Sequence, residues 1–414
     1  MNERPGKVIL WLSLALSSIC LHAKSEHIAL SNYLNELNEF ESFVEQVDEV
    51  RVAQYIKDFL TYKDGTVALL ERAYLYFPMI EREIDRKNLP AELKILPIIE
   101  SAIKPLAVSN VGAVGMWQIM PHTARALGLE INKYVDERKD PYKATEAALN
   151  YLQSLHDIYN NWTLAFAAYN AGPGRINKAI RMAGGDRSFK SIMQFLPKET
   201  QLYIPKYIAA QYLVENYLKH GLIPELPNLD LQLTDQVKIY KYVSIRDIAL
   251  MTGLPDSIIQ SLNPSLRKPY VPAFSYGFDL ILPKRVMPLF KIEAQDEIGQ
   301  VPILEYRKYE ITLEQDHLID DLADQLLTDP YLIKYWNKLA SNMVCAGQNI
   351  VVYQLFDPTE LIAENTGAPS MVVMNTIPVK SIKSYFSRVE MLHEQTEKEK
   401  LNWEIHVFAG NRRR

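Results

Sequence analysis

The stretch that decides the fold is an apolar run ending in a single carboxylate, Leu93-Lys94-Ile95-Leu96-Pro97-Ile98-Ile99-Glu100-Ser101. Pro90 suits the first turn of a helix, so the stretch predicts a helix that carries Glu100 at its end. Apolar neighbours disfavour the charged carboxylate and raise its pKa above the usual value of roughly 4.3. A general acid for a glycosidic oxygen requires a raised pKa. For an arbitrary glutamate, the alternative is a cap or an ion pair at a helix end.

The sequence downstream favours the catalytic interpretation. A segment rich in glycine follows, Ser109-Asn110-Val111-Gly112-Ala113-Val114-Gly115-Met116-Trp117-Gln118-Ile119-Met120-Pro121. Glycines let the backbone approach a ligand closely, and the Gln118 side chain offers both a donor and an acceptor to a sugar amide. Further on, an apolar helix ends in Ala168-Tyr169-Asn170-Ala171-Gly172.

Four segments, in order, resemble one family. Glu100-Ser101, Gly115–Pro121 and Ala168–Gly172 are similar to the three signature motifs of the soluble-lytic-transglycosylase domain, whose fold resembles goose-type lysozyme. A fourth family element, Glu-Thr-x-x-Tyr, corresponds to Glu199-Thr200-Gln201-Leu202-Tyr203. The resemblance implies a mainly α, lysozyme-like catalytic domain that cuts the glycan strands of peptidoglycan.

The resemblance also implies a mechanism with one carboxylate. In the family, a glutamate protonates the bond between N-acetylmuramic acid and N-acetylglucosamine, then takes a proton from the muramic acid O6 hydroxyl, which closes a 1,6-anhydro ring without water. An ordinary glycosidase needs two carboxylates. No Asp or Glu occurs between Ser101 and Leu129, which favours the transglycosylase. Asp136, Asp140 or Glu199 could still reach the site from further along the chain.

Several site residues follow from the resemblance. Ser109 is expected to hydrogen-bond the substrate acetamido group, Gln118 and Met120 to line the sugar site, and Tyr169 to orient Glu100 or the developing charge. A turn serine and a helix-end tyrosine are the alternatives for Ser109 and Tyr169.

Three further residues are assigned to the substrate site with open alternatives. Ser101 and Asn170 have helix-end roles as their alternatives. Glu199 has a structural ion pair as its alternative. Met116 and Ile119 are expected in the core.

Composition limits the other function classes. The chain has 414 residues, enough for two to four domains, with 45 Lys plus Arg against 50 Asp plus Glu. The net charge of −5 argues against a nucleic-acid partner. The sequence contains no metal-ligand cluster, nucleotide loop or nucleophilic triad pattern, so we expect no metal and no cofactor.

The N-terminus predicts export. Arg4 and Lys7 precede an apolar run from Val8 to Leu21, and Ala23 offers a cleavage point, so residues 1–23 are predicted to be a signal peptide. A buried helix and a retained membrane anchor are the alternatives. The residues before Cys20 do not favour lipidation. We expect a periplasmic or cell-envelope protein, with outer-membrane association left open.

The remaining chain divides into a helical preface, a catalytic domain and small repeats. The preface is predicted at 24–84 and the catalytic domain at 85–222. Proline-rich Ile223–Pro227 marks the change to short strands and helices. Repeats at 236–285 and 308–354 share a spacing of sixteen residues, from Asp247 to Asn263 and from Asp321 to Asn337.

Each repeat predicts a small α+β unit of strand, two helices and strand (βααβ), which resembles the LysM modules that bind N-acetylglucosamine-containing glycans. The modules are degenerate, since Leu327 stands where a glycine is usual. A partial third repeat and a charged tail are predicted at 355–414. A catalytic domain followed by such repeats is similar to a membrane-bound type of lytic transglycosylase. A goose-type muramidase that admits water and a non-catalytic wall-binding protein are the alternatives.

Overall fold

The computed structural model describes residues 30–294, 304–339 and 341–358. It divides into two compact units: a catalytic unit up to Ile131 together with Glu137–Glu225, and a repeat unit of Asn132–Asp136 together with the chain from Leu226 onward. The predicted signal peptide and residues 359–414 of the predicted tail lie outside the described residues. Within the described ranges, no helix has both the length and the apolar character needed to cross a membrane.

The catalytic unit is helical, as the sequence predicts. Short 3-10 turns at Ala91–Ile95, Glu137–Lys139 and Met193–Phe195 join its helices. In chain order, the α-helices of this unit are α1 (30–37), α2 (Glu49–Thr61), α3 (Lys63–Arg86), α4 (Leu96–Ser101), α5 (Pro121–Ala126), α6 (Pro141–Tyr159), α7 (Trp162–Ala171), α8 (Pro173–Met182), α9 (Phe189–Ile192) and α10 (Lys198–Asn216).

Helix α7 forms the centre of this unit. Every side chain from Leu164 to Ala168 is fully buried, and α6, α8 and α10 pack around the helix. A helix that is apolar on all sides belongs in a core, and each large apolar side chain buried there contributes about 1.5–3 kcal/mol. Asn161 caps its start by accepting the Leu164 backbone N–H at 3.1 Å. This rigid helix carries Tyr169 and Asn170 at its end.

The helix predicted from Pro90 to Ser101 is interrupted. Residues Ala91–Ile95 form a 3-10 turn, and α4 begins only at Leu96. Pro97 explains the break, because a proline ring inside a continuous α-helix clashes with the carbonyl four residues earlier, whereas the first helical turn accepts it.

Helix α4 ends in strained backbone. Ala102 and Ile103 both adopt left-handed conformations, with φ of 53° and 57°. Such angles cost about 1–2 kcal/mol per non-glycine residue. Arg72 Nε of α3 donates to the Ala102 carbonyl at 2.7 Å, and the Ile103 side chain is fully buried. These contacts fix the end of the helix just after Glu100.

From residue 30 onward, the predicted preface packs within the catalytic unit, and α3 runs through residues 84 and 85 without a break. The Glu45 carboxylate accepts hydrogen bonds from the Ser188 hydroxyl at 2.7 Å and from the Phe189 backbone N–H at 2.8 Å. The Phe43 N–H donates to Gln211 Oε1 of α10 at 3.2 Å.

The repeat unit contains two βααβ modules. The first consists of β1 (Thr234–Ile239), β2 (Val243–Ser244), α12 (Ile245–Thr252), α13 (Asp256–Leu262), β3 (Tyr270–Val271) and β4 (Phe278–Pro283). The second consists of β5 (Glu305–Thr312), β6 (His317–Leu318), α15 (Ile319–Leu326), α16 (Pro330–Trp336), β7 (Met343–Val344) and β8 (Asn349–Phe356). Strands β1 and β4 pair antiparallel, as do β5 and β8, while α11 (Leu229–Gln232) precedes the modules and α14 (Met287–Glu293) follows the first.

The two asparagines matched by sequence spacing have the same role in both modules. Asn263 Nδ2 donates to the Ile281 carbonyl at 2.8 Å, and its Oδ1 accepts the Ile281 N–H at 2.9 Å. Asn337 makes the same pair of bonds with Val351, at 2.8 and 2.7 Å. Each amide therefore ties the end of the second helix to the last long strand.

A short segment inside the predicted catalytic domain belongs to the repeat unit. In Asn132–Asp136, Val135 is 1% exposed within the first module's core and pairs with Leu266. The Asp136 carboxylate accepts from Arg267 Nη2 at 2.9 Å. The core of the first module is therefore built from two separate parts of the chain.

Candidate active site

Glu100 lies in the last turn of α4 and is only partly accessible to solvent. The Tyr203 hydroxyl of α10 donates to its Oε1 at 2.5 Å. Burial raises the pKa of Glu100 to about 7, the Tyr203 hydrogen bond opposes this rise, the negative charge of Glu199 adds to it, and Lys206 lowers it. The rise in pKa predicted from the apolar neighbours is confirmed. A carboxyl group with this pKa can both give and take a proton near neutral pH.

Tyr203 is a site residue to which the sequence assigned no role. It lies four residues after Glu199 on α10, so both side chains occupy the same helix face. Burial, and then the nearby charge of Glu100, raise the pKa of Tyr203 well above its usual value, so the hydroxyl keeps its proton and remains a donor. Its position in the Glu-Thr-x-x-Tyr motif is the feature of the sequence that indicates a role in the site.

Tyr169 lies close to Glu100, but its hydroxyl has another partner. It donates to the Trp117 carbonyl at 2.7 Å. Burial raises the pKa of Tyr169 well above its usual value, and the charge of Glu100 adds to this rise. Tyr169 therefore links the end of α7 to the loop that carries Gln118.

The glycine-rich loop presents two complementary polar atoms. The Ser109 hydroxyl oxygen accepts the Ala113 N–H at 2.9 Å, and Gln118 Nε2 donates to the Gly115 carbonyl at 2.8 Å. Within the described part of the chain, no partner is found for the Ser109 hydroxyl hydrogen or for Gln118 Oε1. One can donate to the carbonyl of an N-acetyl group, and the other can accept its N–H.

Ser101 and Asn170 make contacts within the protein. The Ser101 hydroxyl donates to the Met116 carbonyl at 2.9 Å and accepts the Lys104 N–H at 3.0 Å. Asn170 Oδ1 accepts from the Thr200 hydroxyl at 2.8 Å, which joins the third motif to the fourth. The structure gives both side chains contacts within the protein, and their roles in substrate binding stay predictions.

Met120 lies at the start of α5 and is partly exposed. The neighbouring Met116 and Ile119 are 1% and 3% exposed, which confirms that they belong to the core.

The three distant carboxylates differ in their relation to Glu100. Asp136 pairs with Arg267 in the repeat unit. Asp140 caps α6 by accepting the Tyr142 and Lys143 N–H groups at 3.0 Å, and burial raises its pKa to about 6. Glu199 is exposed in the first turn of α10, and among these three only its charge acts on Glu100. In the residues that the structure describes, no group of side chains could hold a metal ion.

The chain matches the family described as Transglycosylase SLT domain over residues 77–201. It matches the family described as Lytic transglycosylase MltD, LysM-like domain, over residues 233–298. The solved 70 kDa soluble lytic transglycosylase of Escherichia coli is 25% identical with a TM-score of 0.31, covering 49% of this chain and 35% of that one.

Two curated relatives show how far the similarity extends. The soluble lytic murein transglycosylase of Escherichia coli (strain K12) is 29% identical over 141 residues, which is 32% of this chain and 22% of that protein. The membrane-bound lytic murein transglycosylase D of the same strain is 30% identical over 315 residues, which is 73% of this chain and 68% of that protein. The chain therefore belongs to the lytic murein transglycosylases and combines their SLT catalytic domain with an MltD-type LysM-like domain.

Proposed function

We propose that Glu100 is the single acid and base with which this transglycosylase cleaves the β-1,4 bond between N-acetylmuramic acid and N-acetylglucosamine. The observation that carries the proposal is the Glu100 carboxyl, whose pKa burial raises to about 7 and whose Oε1 accepts from Tyr203. Near neutral pH a large fraction of this group holds the proton that the leaving oxygen needs.

In the first step, the Glu100 proton moves to the glycosidic oxygen as the bond from that oxygen to C1 of the muramic acid breaks. The resulting carboxylate is stabilised by the Tyr203 hydroxyl and by Lys206. In the second step, the muramic acid O6 attacks C1, and its hydroxyl proton returns to Glu100. The 1,6-anhydro ring closes, and the carboxyl ends as it began.

Substrate is held in this proposal by the Ser109 hydroxyl and Gln118 Oε1, which receive an N-acetyl group. Met120 is proposed to add a partly exposed apolar surface. Tyr169 holds the loop through the Trp117 carbonyl, and Glu199 helps to keep the pKa of Glu100 near neutral.

The alternative hydrolase needs a carboxylate that activates water. Two of the three other carboxylates, Asp136 and Asp140, have structural partners of their own. Glu199 opposes ionisation of Glu100 from an exposed position, which suits a group that adjusts the pKa of the acid. These contacts favour ring closure over hydrolysis.

Product analysis by mass spectrometry tests the proposal on intact sacculi. Wild-type protein is expected to release muropeptides with 1,6-anhydro ends. Glu100→Gln is expected to lower the rate by about 10³-fold, because it removes acid–base catalysis. Glu146→Gln changes an exposed glutamate on α6 and serves as the matched control. Reducing ends alone would support the muramidase, and undiminished cleavage by Glu100→Gln would show that the acid is misassigned.

We also propose that the repeats at 236–285 and 308–354 bind peptidoglycan glycan strands. Support comes from the LysM-like match and from exposed rings on the first module, including Tyr242 and Tyr276 at 61% and 54% exposure. Aromatic faces can pack against sugar rings. A full-length Glu100→Gln protein should cosediment with sacculi, and Tyr242→Ala with Tyr276→Ala should weaken this retention. Unchanged retention would favour purely structural repeats.

For localisation, we propose an enzyme of the cell envelope that is exported by residues 1–23 and acts in the periplasm. The predicted signal peptide and a relative named as membrane-bound support this proposal. N-terminal sequencing of the mature protein and fractionation of the envelope test it, and they also show whether the protein associates with the outer membrane. A cytosolic protein with an intact N-terminus would contradict it.

A further inference from the structure

A buried arginine contacts the loop that carries Ser109 and Gln118. Arg138 is only 5% exposed, and its Nη1 donates to the Gly112 carbonyl at 2.9 Å and to the Ile119 carbonyl at 3.3 Å. Both acceptors belong to this loop. We infer that Arg138 is a positioning residue that holds the loop in its substrate-binding shape, an inference that rests on the proposed function of Ser109 and Gln118.

The burial of this charge needs an explanation. Removing a guanidinium group from water costs several kcal/mol unless its donors find good acceptors. Here two backbone carbonyls from separate turns of one loop share a single terminal nitrogen. The charge therefore joins two turns that are seven residues apart in the sequence.

The backbone of Arg138 adds a third point of contact. Gly115 has a φ of +87°, and a Cβ built on it would lie 1.8 Å from the Arg138 carbonyl oxygen. Only glycine fits so close an approach. The arginine thus contacts the loop through its side chain and its main chain.

These contacts lie beside the two proposed binding groups. Gln118 precedes Ile119 and has a left-handed φ of 48°, a strained conformation that persists only when the surroundings enforce it. The Gly112 N–H donates to the Ser109 carbonyl at 3.1 Å, so the carbonyl held by Arg138 belongs to the same turn as Ser109. Without the arginine, both turns lose a common anchor.

Arg138 is itself fixed from the other side. It lies in the 3-10 turn Glu137–Lys139, where Glu137 Oε2 accepts the Glu130 N–H at 2.7 Å and Oε1 accepts Lys143 Nζ at 2.6 Å. Asp140 then caps α6. Through Arg138, the loop is therefore connected to the start of α6.

The test separates binding from acid–base chemistry. In a Glu100→Gln background, calorimetry with a peptidoglycan tetrasaccharide should show binding about tenfold or more weaker when Arg138→Met is added, which corresponds to about 1.4 kcal/mol. Arg138→Lys, which keeps the charge, should bind with intermediate affinity. Arg181→Met, an exposed arginine on α8, is the matched control and should leave Kd unchanged.

Kinetics in the active enzyme supply the second readout. Arg138→Met should raise KM about tenfold while the alkaline limb of the pH–rate profile stays at its wild-type position. An unchanged Kd and KM would overturn the inference, as would a loss confined to kcat. If Arg138→Met does not fold, Arg138→Lys replaces it in the test: a weaker Kd supports the inference, and an unchanged Kd overturns it. Failure of the proposed function appears separately, as cleavage by Glu100→Gln alone.

Discussion

Polar groups shielded from solvent have opposite environments in the two units. In the repeat unit, the Asn263 amide donates to the Ile259 and Ile281 carbonyls and accepts the Ile281 N–H, all within 2.9 Å. In the catalytic unit, one donor among the described residues, the Tyr203 hydroxyl, bonds the Glu100 carboxyl, and the charge of Glu199 opposes its ionisation.

This difference separates stability from function. A buried amide whose bonds are all made specifies one local structure and stabilises it. A desolvated carboxyl with few partners keeps its proton in a large fraction of molecules near neutral pH, which lowers stability but makes acid–base chemistry possible. The pattern of partners, more than burial itself, therefore identifies the functional group.

The largest expected effect tests the stabilising group, the Asn263 amide. Asn263→Ala removes a side chain that is 4% exposed and leaves the Ile281 N–H and carbonyl without their partner. The free energy of unfolding of the repeat unit should fall by about 2–4 kcal/mol. Chemical denaturation measures it, and the exposed Asn349→Ala serves as control. A loss below about 0.5 kcal/mol would break the comparison.

Glu100→Gln tests the functional group in this comparison, through its effect on the stability of the folded protein. Burial raises the pKa of Glu100 in the folded protein to about 7, from the ordinary value of 4.5 for the free group. The folded protein therefore keeps a proton that the unfolded chain releases between these values, so stability falls as pH rises through this window.

Replacing the carboxyl with an amide removes that cost. At pH 8, Glu100→Gln should raise the free energy of unfolding by about 1–3 kcal/mol, and at pH 4 the gain should vanish. Thermal unfolding at both pH values measures this difference. A pH-independent gain would mean that packing, and not ionisation, is responsible.

Opposite shifts in pH dependence should follow from the two neighbours of Glu100. The Tyr203 hydrogen bond lowers the pKa of Glu100, and the charge of Glu199 raises it. Tyr203→Phe should therefore move the alkaline limb of kcat/KM to higher pH, and Glu199→Gln to lower pH, each by about one unit or less. Shifts in the same direction would contradict the assigned electrostatics.

The smallest effect concerns the left-handed residues. Leu327 ends α15 with a φ of 50°, where Gly253 ends α12 in the first module with a φ of 68°. Leu327 is 39% exposed, so Leu327→Gly removes backbone strain with little loss of packing. It should stabilise the repeat unit by about 0.5–1 kcal/mol, and Gly253→Leu should destabilise it. Destabilisation by Leu327→Gly would show that its side chain matters more than its backbone angle.

Local pattern predicted the parts of the molecule that depend on neighbours in sequence. The apolar run before Glu100 indicated its raised pKa, and the spacing from Asp321 to Asn337 identified the second βααβ module. Pro97 also marks a break in the sequence, although the apolar run predicts one helix from Pro90 to Ser101.

Contacts between distant parts of the chain could not be predicted in this way. The bond from Tyr203 to Glu100 joins residues 103 positions apart and depends on how α10 packs against α4. Nothing in the periodicity near Arg138 distinguished a buried guanidinium group from a solvated one. The hydrogen bond from the Ser101 hydroxyl likewise ends on the Met116 carbonyl, a backbone atom that no motif specifies.

The placement of Val135 in the first module has a consequence for folding order. Residues 132–136 are synthesised well before the strands whose core they complete. That core therefore needs a contact of long sequence separation, and such contacts slow folding. Until the residues of the first module are present, the Val135 side chain has no core to enter and stays in water.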